Sequence, residues 1–191
     1  MKGLAKGIQV AMLAAAGAVL ATGCGDTRAA SKENLAYALN HDYSANEDCL
    51  FAKAMPFPYE VAMNDKLLAE TRRRLDALSE AGLLEREQEI ANGTTVNRYV
   101  LTAAGSRTEG KGRFCYGRRE VTSVEKFTAP VDYDGKPLTK VEYHFVLKGA
   151  PSWAKQDEVR NAFPMVAKSM SEEPVDEATL MLTHDGWVLT Y

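Results

Sequence analysis

Apolar and polar positions change their spacing several times along the chain, and each change predicts an element. Ile8 to Leu20 is an Ala-rich apolar run. From Ser31, a good N-cap residue, Leu35, Ala38 and Leu39 recur at helical spacing, which predicts a first helix to about Asp42. Met55-Pro56-Phe57-Pro58-Tyr59 excludes regular helix, because each proline holds the residue before it extended, and reads as a stiff connector with buried aromatics. Leu67, Leu68, Thr71, Leu75 and Leu78 then share one face of a second helix, with Gly82 where a left-handed residue would end it. Leu83 to Ile90 and Val96 to Thr102 read as strands joined by a tight turn at Asn92-Gly93. Ser106 to Gly112 is charged, contains Gly110 and Gly112, and reads as a mobile linker.

Beyond the linker the spacing becomes that of strands. Phe114 to Thr128 is strand-like, and Val121, Val124 and Phe127 break strict alternation, which predicts a bulge. After a turn at Asp134-Gly135, Val141, Tyr143, Phe145 and Leu147 alternate with Lys140, Glu142, His144 and Lys148, the pattern of a half-buried antiparallel strand. Ser152 is placed to cap a short helix that ends before Pro164, with Trp153 and Phe163 pinning it to the sheet. Met165 to Pro174 reads as a surface loop, and Ala178 to Tyr191 as a closing hairpin around Asp185-Gly186. The expected fold is α+β. It comprises a helix-and-hairpin module over 31–110 and an antiparallel β-rich part over 111–191 with one helix packed on its sheet.

The run of helix, Gly82, Leu83-Leu84, hairpin, Tyr99, Leu101-Thr102 and Gly105, with Leu75 and Leu78 on the helix, resembles the recognition helix and wing of winged helix-turn-helix regulators. Those are core and turn positions, so the resemblance implies a fold and not DNA binding. Arg72-Arg73-Arg74 is the feature a nucleic-acid binder would use. Glu70 stands at i+4 from Arg74 and Asp76 at i+4 from Arg72, so an internally paired, solvated face is the expected reading.

The N-terminal stretch changes where the chain is expected to work. Lys2 and Lys6, the apolar run and Ala21-Thr22-Gly23 before Cys24 have the layout of a secretory signal over 1–23. Cleavage before a cysteine resembles the lipobox of bacterial lipoproteins, although Ala21 occupies the position where that family most often has Leu. The resemblance implies that Cys24 carries acyl chains, with residues 24–30 as a tether. Because Gly25 and not Asp follows the cysteine, it also implies the periplasmic face of the outer membrane or, in an organism with a single membrane, the outer face of the cytoplasmic membrane. The run from Ile8 to Ala21 is shorter than the roughly 20 residues a spanning helix needs.

Composition narrows the function. The 191 residues carry a formal charge of −3, which grows more negative once Lys2 and Lys6 are removed; nucleic-acid binders more often show a basic surplus. In an oxidising compartment Cys49 and Cys115 remain as a disulfide pair, worth about 4 kcal/mol in the loop-entropy model. Neither cysteine lies in a C-x-x-C pair or at ligand spacing from a histidine. His41 falls at a helix end and reads as solvated. His144 and His184 are the remaining candidates for a metal-dependent or hydrolytic module, with Glu142 or Asp185, were their strands neighbours. No Gly-x-Ser-x-Gly, phosphate-binding loop or dinucleotide fingerprint is present, and Asn92-Gly93-Thr94 reads as a turn, not a glycosylation site. The expectation is therefore a lipid-anchored envelope protein of binding or structural role. It needs no cofactor, and its partner would be an envelope protein or polymer, with nucleic acid disfavoured.

Overall fold

The computed structural model describes residues 26–108, 110 and 112–191. The signal over 1–23 and the lipidation residue Cys24 lie outside the described residues. The fold is α+β, with every strand pairing antiparallel.

Helix α1 (Lys32–Ala45) begins as expected, with the Ser31 hydroxyl accepting from the Asn34 amide at 3.2 Å. Strand β1 (Asp48–Cys49) follows, then the connector with a cis Phe57–Pro58 bond, and β2 (Tyr59–Ala62). Helix α2 (Ala69–Glu80), β3 (Leu84–Ala91) and β4 (Thr94–Leu101) realise the predicted helix and hairpin, and β2 adds a third strand in the order β2-β4-β3. Leu67, expected on the buried face, precedes the helix and is 93% exposed. A one-turn helix α3 (Ala103–Ser106) closes this part.

The larger sheet has the order β1-β5-β7-β8-β9, built from β5 (Cys115–Phe127), β7 (Lys136–Lys148), β8 (Val175–Thr183) and β9 (Gly186–Leu189), with β6 (Val131–Tyr133) paired to β7. The predicted bulge is real, the register shifting between Val121 and Ser123. There the Asn40 side chain of α1 takes over the interrupted ladder. Its Oδ1 accepts from the Val121 amide at 2.7 Å and its Nδ2 donates to the Val121 carbonyl at 3.2 Å. A buried backbone pair without such a partner would cost free energy comparable to a lost hydrogen bond.

Packing departs from the expected division of the chain at residue 110. Leu35, Ala38 and Leu39 of α1, assigned by sequence order to the helix-and-hairpin module, pack instead on Val121, Val124, Val141, Tyr143, Phe145, Leu180 and Trp187. The helix covering the sheet is thus α1. The segment between β7 and β8 forms a 3-10 turn (Ser152–Lys155), α4 (Asp157–Ala162) and α5 (Pro164–Ser169). Its Trp153, Val159, Phe163 and Val166 join Leu75, Leu78, Leu84, Tyr99 and Phe114 in the second core. Trp153 and Phe163 therefore pin their helices to α2 and the hairpin, in a core that also takes in Tyr116 of β5 and, at its margin, Leu147 of β7. The expected surface loop after Pro164 is largely helix, because proline at the first helical position gives up only an amide that has no helical partner.

Two segments read as loose are tied to the domain at described positions. The described part of the expected tether, Asp26 to Ala30, is a turn held by Asn34 Nδ2, which donates to the carbonyls of Asp26 and Ala29 at 2.9 Å each, and by Trp187 Nε1, which donates to Ala29 at 3.2 Å. In the expected linker, Gly110 and Gly112 have positive φ and lie against their neighbours. A Cβ on Gly110 would come within 2.5 Å of Cys115 Sγ, and one on Gly112 within 2.9 Å of the Met55 carbonyl oxygen.

Candidate functional site

Cys49 and Cys115 are directly opposed on β1 and β5 and form the expected disulfide, which closes 66 residues of chain. The bridge borders a cleft of about 400 Å³ where the segment from Lys148 to Trp153 meets β5 and α3. Pro151 and Trp153 line it together with Ala104, Arg107 and Thr108. Gly117 also lines it, with φ 144°, where a Cβ would meet the Lys148 carbonyl oxygen at 2.6 Å, so the close passage of β5 beside β7 excludes a side chain.

The cleft is cationic. Arg107, Arg118 and Lys148 line it, and Glu47 is the acid among its described lining residues. Arg118 and Lys148 are directly opposed across β5 and β7, an arrangement of like charges that weakens a sheet unless something neutralises it. Glu47 approaches Arg118 at 3.0 Å and Glu120 approaches Lys148 at 3.7 Å, but both cations are more than half exposed, so water screens these pairs. An anionic group entering here would meet three exposed cationic side chains, already in water, at little desolvation cost. This site was missed because its residues come from four separate segments and share no local motif.

On the other face of β5, Arg119 is nearly enclosed. Its Nε donates to Asp48 at 2.7 Å, its Nη1 to Asp176 at 2.5 Å and to the Tyr143 hydroxyl at 3.1 Å, and its guanidinium lies 4.8 Å from the centre of the Phe145 ring. Burial alone would make the guanidinium easier to deprotonate. The Asp48 hydrogen bond and charge reverse this and hold it firmly protonated. Burial likewise opposes ionisation of Asp176, but hydrogen bonds from Lys168 and Arg119 outweigh it and lower the carboxyl's pKa. Tyr43 and Tyr143 share a hydrogen bond of 2.6 Å, and burial pushes both phenols up. The cluster joins α1, β1, β5, β7 and β8 with its charges matched, so its chemistry is that of a fastening. A second cluster surrounds Tyr99, whose hydroxyl donates to Asp76 at 2.8 Å and whose pKa burial pushes up to about 12.

The residues singled out from the sequence fare differently. Arg72 donates to the carbonyls of Ala62 and Met63 at 3.3 and 3.1 Å. Arg73 grips Glu70 with two hydrogen bonds and reaches the carbonyls of Asn161 and Ala162 in α4, while Arg74 meets Glu70 at 3.0 Å and lies over the Phe163 ring. The trio therefore joins α2 to its neighbours. The Asp76–Arg72 pair does not form, Asp76 being taken by Arg86 at 2.8 Å and by Tyr99. The hairpin beside α2 presents Glu85, Glu87 and Glu89 along its edge strand, the wrong charge for a phosphate backbone.

His144 and His184 are not brought together. His144 is paired with Val175 at one end of β8, and His184 is in the turn beyond Thr183 at the other, about 30 Å away at strand rise. His144 instead faces Glu125 at 3.5 Å. Among the described residues, no group of three His, Cys, Asp or Glu side chains is placed to hold a metal ion, and no helix is long and apolar enough to cross a membrane. Compared with protein-family models, curated proteins and solved structures, the chain has no match.

Proposed function

We propose that the protein is a lipid-anchored component of the bacterial cell envelope that works by binding, not catalysis, and that its cationic cleft receives an anionic group of an envelope protein or polymer. The observation that carries this reading is the Cys49–Cys115 bridge at the edge of a cleft lined by Arg107, Arg118 and Lys148. Structural disulfides persist in oxidising compartments, in agreement with the signal-like residues 1–23 and the lipobox-like Cys24. Among its described lining residues the cleft supplies charge without a nucleophile–base pair, and of the two histidines that an envelope hydrolase or metal module would need, His144 on β7 is opposite one end of β8 and His184 follows the other.

The binding half of this reading is tested by titrating the folded chain with poly-glutamate and with inorganic phosphate, at low and physiological salt. Saturable binding that weakens with salt and is lost in Arg107→Glu/Arg118→Glu is the expected result. Equal binding by the wild type and the double variant would overturn the assignment of the cleft.

A further inference from the structure

The open face of the large sheet carries an apolar row aligned by strand register. Val131 is opposite Leu138, Leu138 opposite Met181, and Met181 opposite Val188, so the row crosses β6, β7, β8 and β9 at one level. Trp187, Leu180 and Leu182 point from the same strands toward α1, which places Val188 and Met181 on the uncovered side. Val131 is 66% exposed, Val188 40% and Tyr133, two residues from Val131 on the same face, 72%. Lys136 and Lys140 flank Leu138 on that face.

The row adjoins the place where the chain leaves the described structure. Thr27's carbonyl oxygen lies 3.6 Å from where a Cβ on Gly186 would stand, and Gly186 is two residues before Val188 in the same strand. Asn34 and Trp187 hold this turn to the domain. From Asp26 to Cys24 is two residues, which span at most about 7 Å. An acyl chain on Cys24 would therefore enter a bilayer close to this turn, at the β8–β9 end of the sheet.

We infer that the row Val131–Leu138–Met181–Val188, with Tyr133 at its far end, is the face that lies on the bilayer when Cys24 is anchored. The inference rests on the proposed acylation of Cys24 and adds an orientation to it. Apolar side chains with a tyrosine at the margin suit the boundary between headgroups and acyl chains, and Lys136 and Lys140 suit anionic headgroups. With this face on the lipid, α1 and its core lie on the aqueous side of the sheet.

The test uses the full lipidated chain in vesicles of phosphatidylethanolamine and phosphatidylglycerol. A bimane label is placed in turn at Val131→Cys, Val188→Cys and, as a reference on the other core's hairpin, Glu87→Cys. Flotation and intact mass are measured on each sample. Quenching by shallow doxyl-lipid that is severalfold stronger at positions 131 and 188 than at 87, with the reverse order for aqueous iodide, is the expected result. Labels at 131 and 188 that are open to iodide and untouched by doxyl-lipid, in protein that floats and carries acyl mass, would overturn the orientation and leave the anchor standing. Shielding of both positions from both quenchers would mean that another protein surface covers the row, and would equally overturn it. Absence of acyl mass and of flotation would overturn the anchor and this inference together.

Discussion

Arg73 closes on the carbonyl oxygen of Ala162, 3.1 Å from its Nη2 and 89 residues away in sequence. This contact, with its companion to Asn161, ties α2 to α4, and it accounts for an arginine that sequence alone offers to nucleic acid. Two half-exposed carbonyl contacts and one surface carboxylate pair each contribute modestly. Arg73→Ala is expected to lower unfolding free energy by about 1–2 kcal/mol, read as a lower urea midpoint with unchanged slope. An unchanged midpoint would show that the contacts form without stabilising.

Arg119 is the costlier side chain to remove, because Arg119→Met leaves Asp48 and Asp176 facing one another in a partly buried space without their shared cation. The expected loss is about 3–5 kcal/mol, the range for breaking a buried pair from one side. Arg119→Lys should recover little of it, since an ammonium cannot present the flat fork that reaches both carboxylates and Tyr143. Denaturant titration of the three proteins decides this.

Acid should weaken the same cluster. The folded Asp176 carboxyl has a lowered pKa, so it binds its proton less readily than in the unfolded chain. Its contribution is complete above the unfolded value near 3.8 and is lost as pH falls through the lower folded value. Stability should therefore decline below about pH 4, and Asp176→Asn should flatten that decline while lowering stability at neutral pH. A wild-type profile indistinguishable from that of Asp176→Asn would contradict this.

Gly110 ties the bridge to the segment before it. Gly110→Ala forces a Cβ to within 2.5 Å of Cys115 Sγ at φ +82° and should lower the melting temperature. Opening the bridge with reductant should cost about 2–5 kcal/mol on its own. It should also shrink the effect of Gly110→Ala, because the freed sulfur can move aside. An equal effect before and after reduction would show that backbone conformation alone carries the cost.

The docked turn before α1 offers a protease assay. Arg28 is exposed, but its segment is fastened by Asn34 and Trp187. Asn34→Ala should speed tryptic cleavage after Arg28 severalfold with little change in global stability. Unaltered cleavage would mean that Trp187 suffices to hold the turn.

Elements set by local chemistry were legible in the sequence. Ser31 marks the start of α1, Asn92-Gly93 and Asp134-Gly135 mark turns, and the broken alternation at Val121 marks the bulge. Partners across the chain were not. Periodicity shows that Leu35, Ala38 and Leu39 form a buried face, but not that the face meets β5, more than 80 residues on, where Asn40 repairs the bulge. Gly110 and Gly112 look like flexibility until the sulfur and carbonyl beside them are seen. Pro164 looks like the end of one helix and is the start of another. The cleft was illegible for the same reason, since Arg118 and Lys148 become neighbours only when β5 and β7 pair.

The account stands or falls on intact-mass spectrometry of the protein extracted from its own membrane fraction, with and without reduction before thiol alkylation. The predicted mass is that of Cys24 to Tyr191 plus acyl chains, with two alkylatable thiols appearing only on reduction. A mass matching the uncleaved chain, with all three thiols alkylated before reduction, would contradict the anchor and remove the bridge from the protein as it exists in the cell.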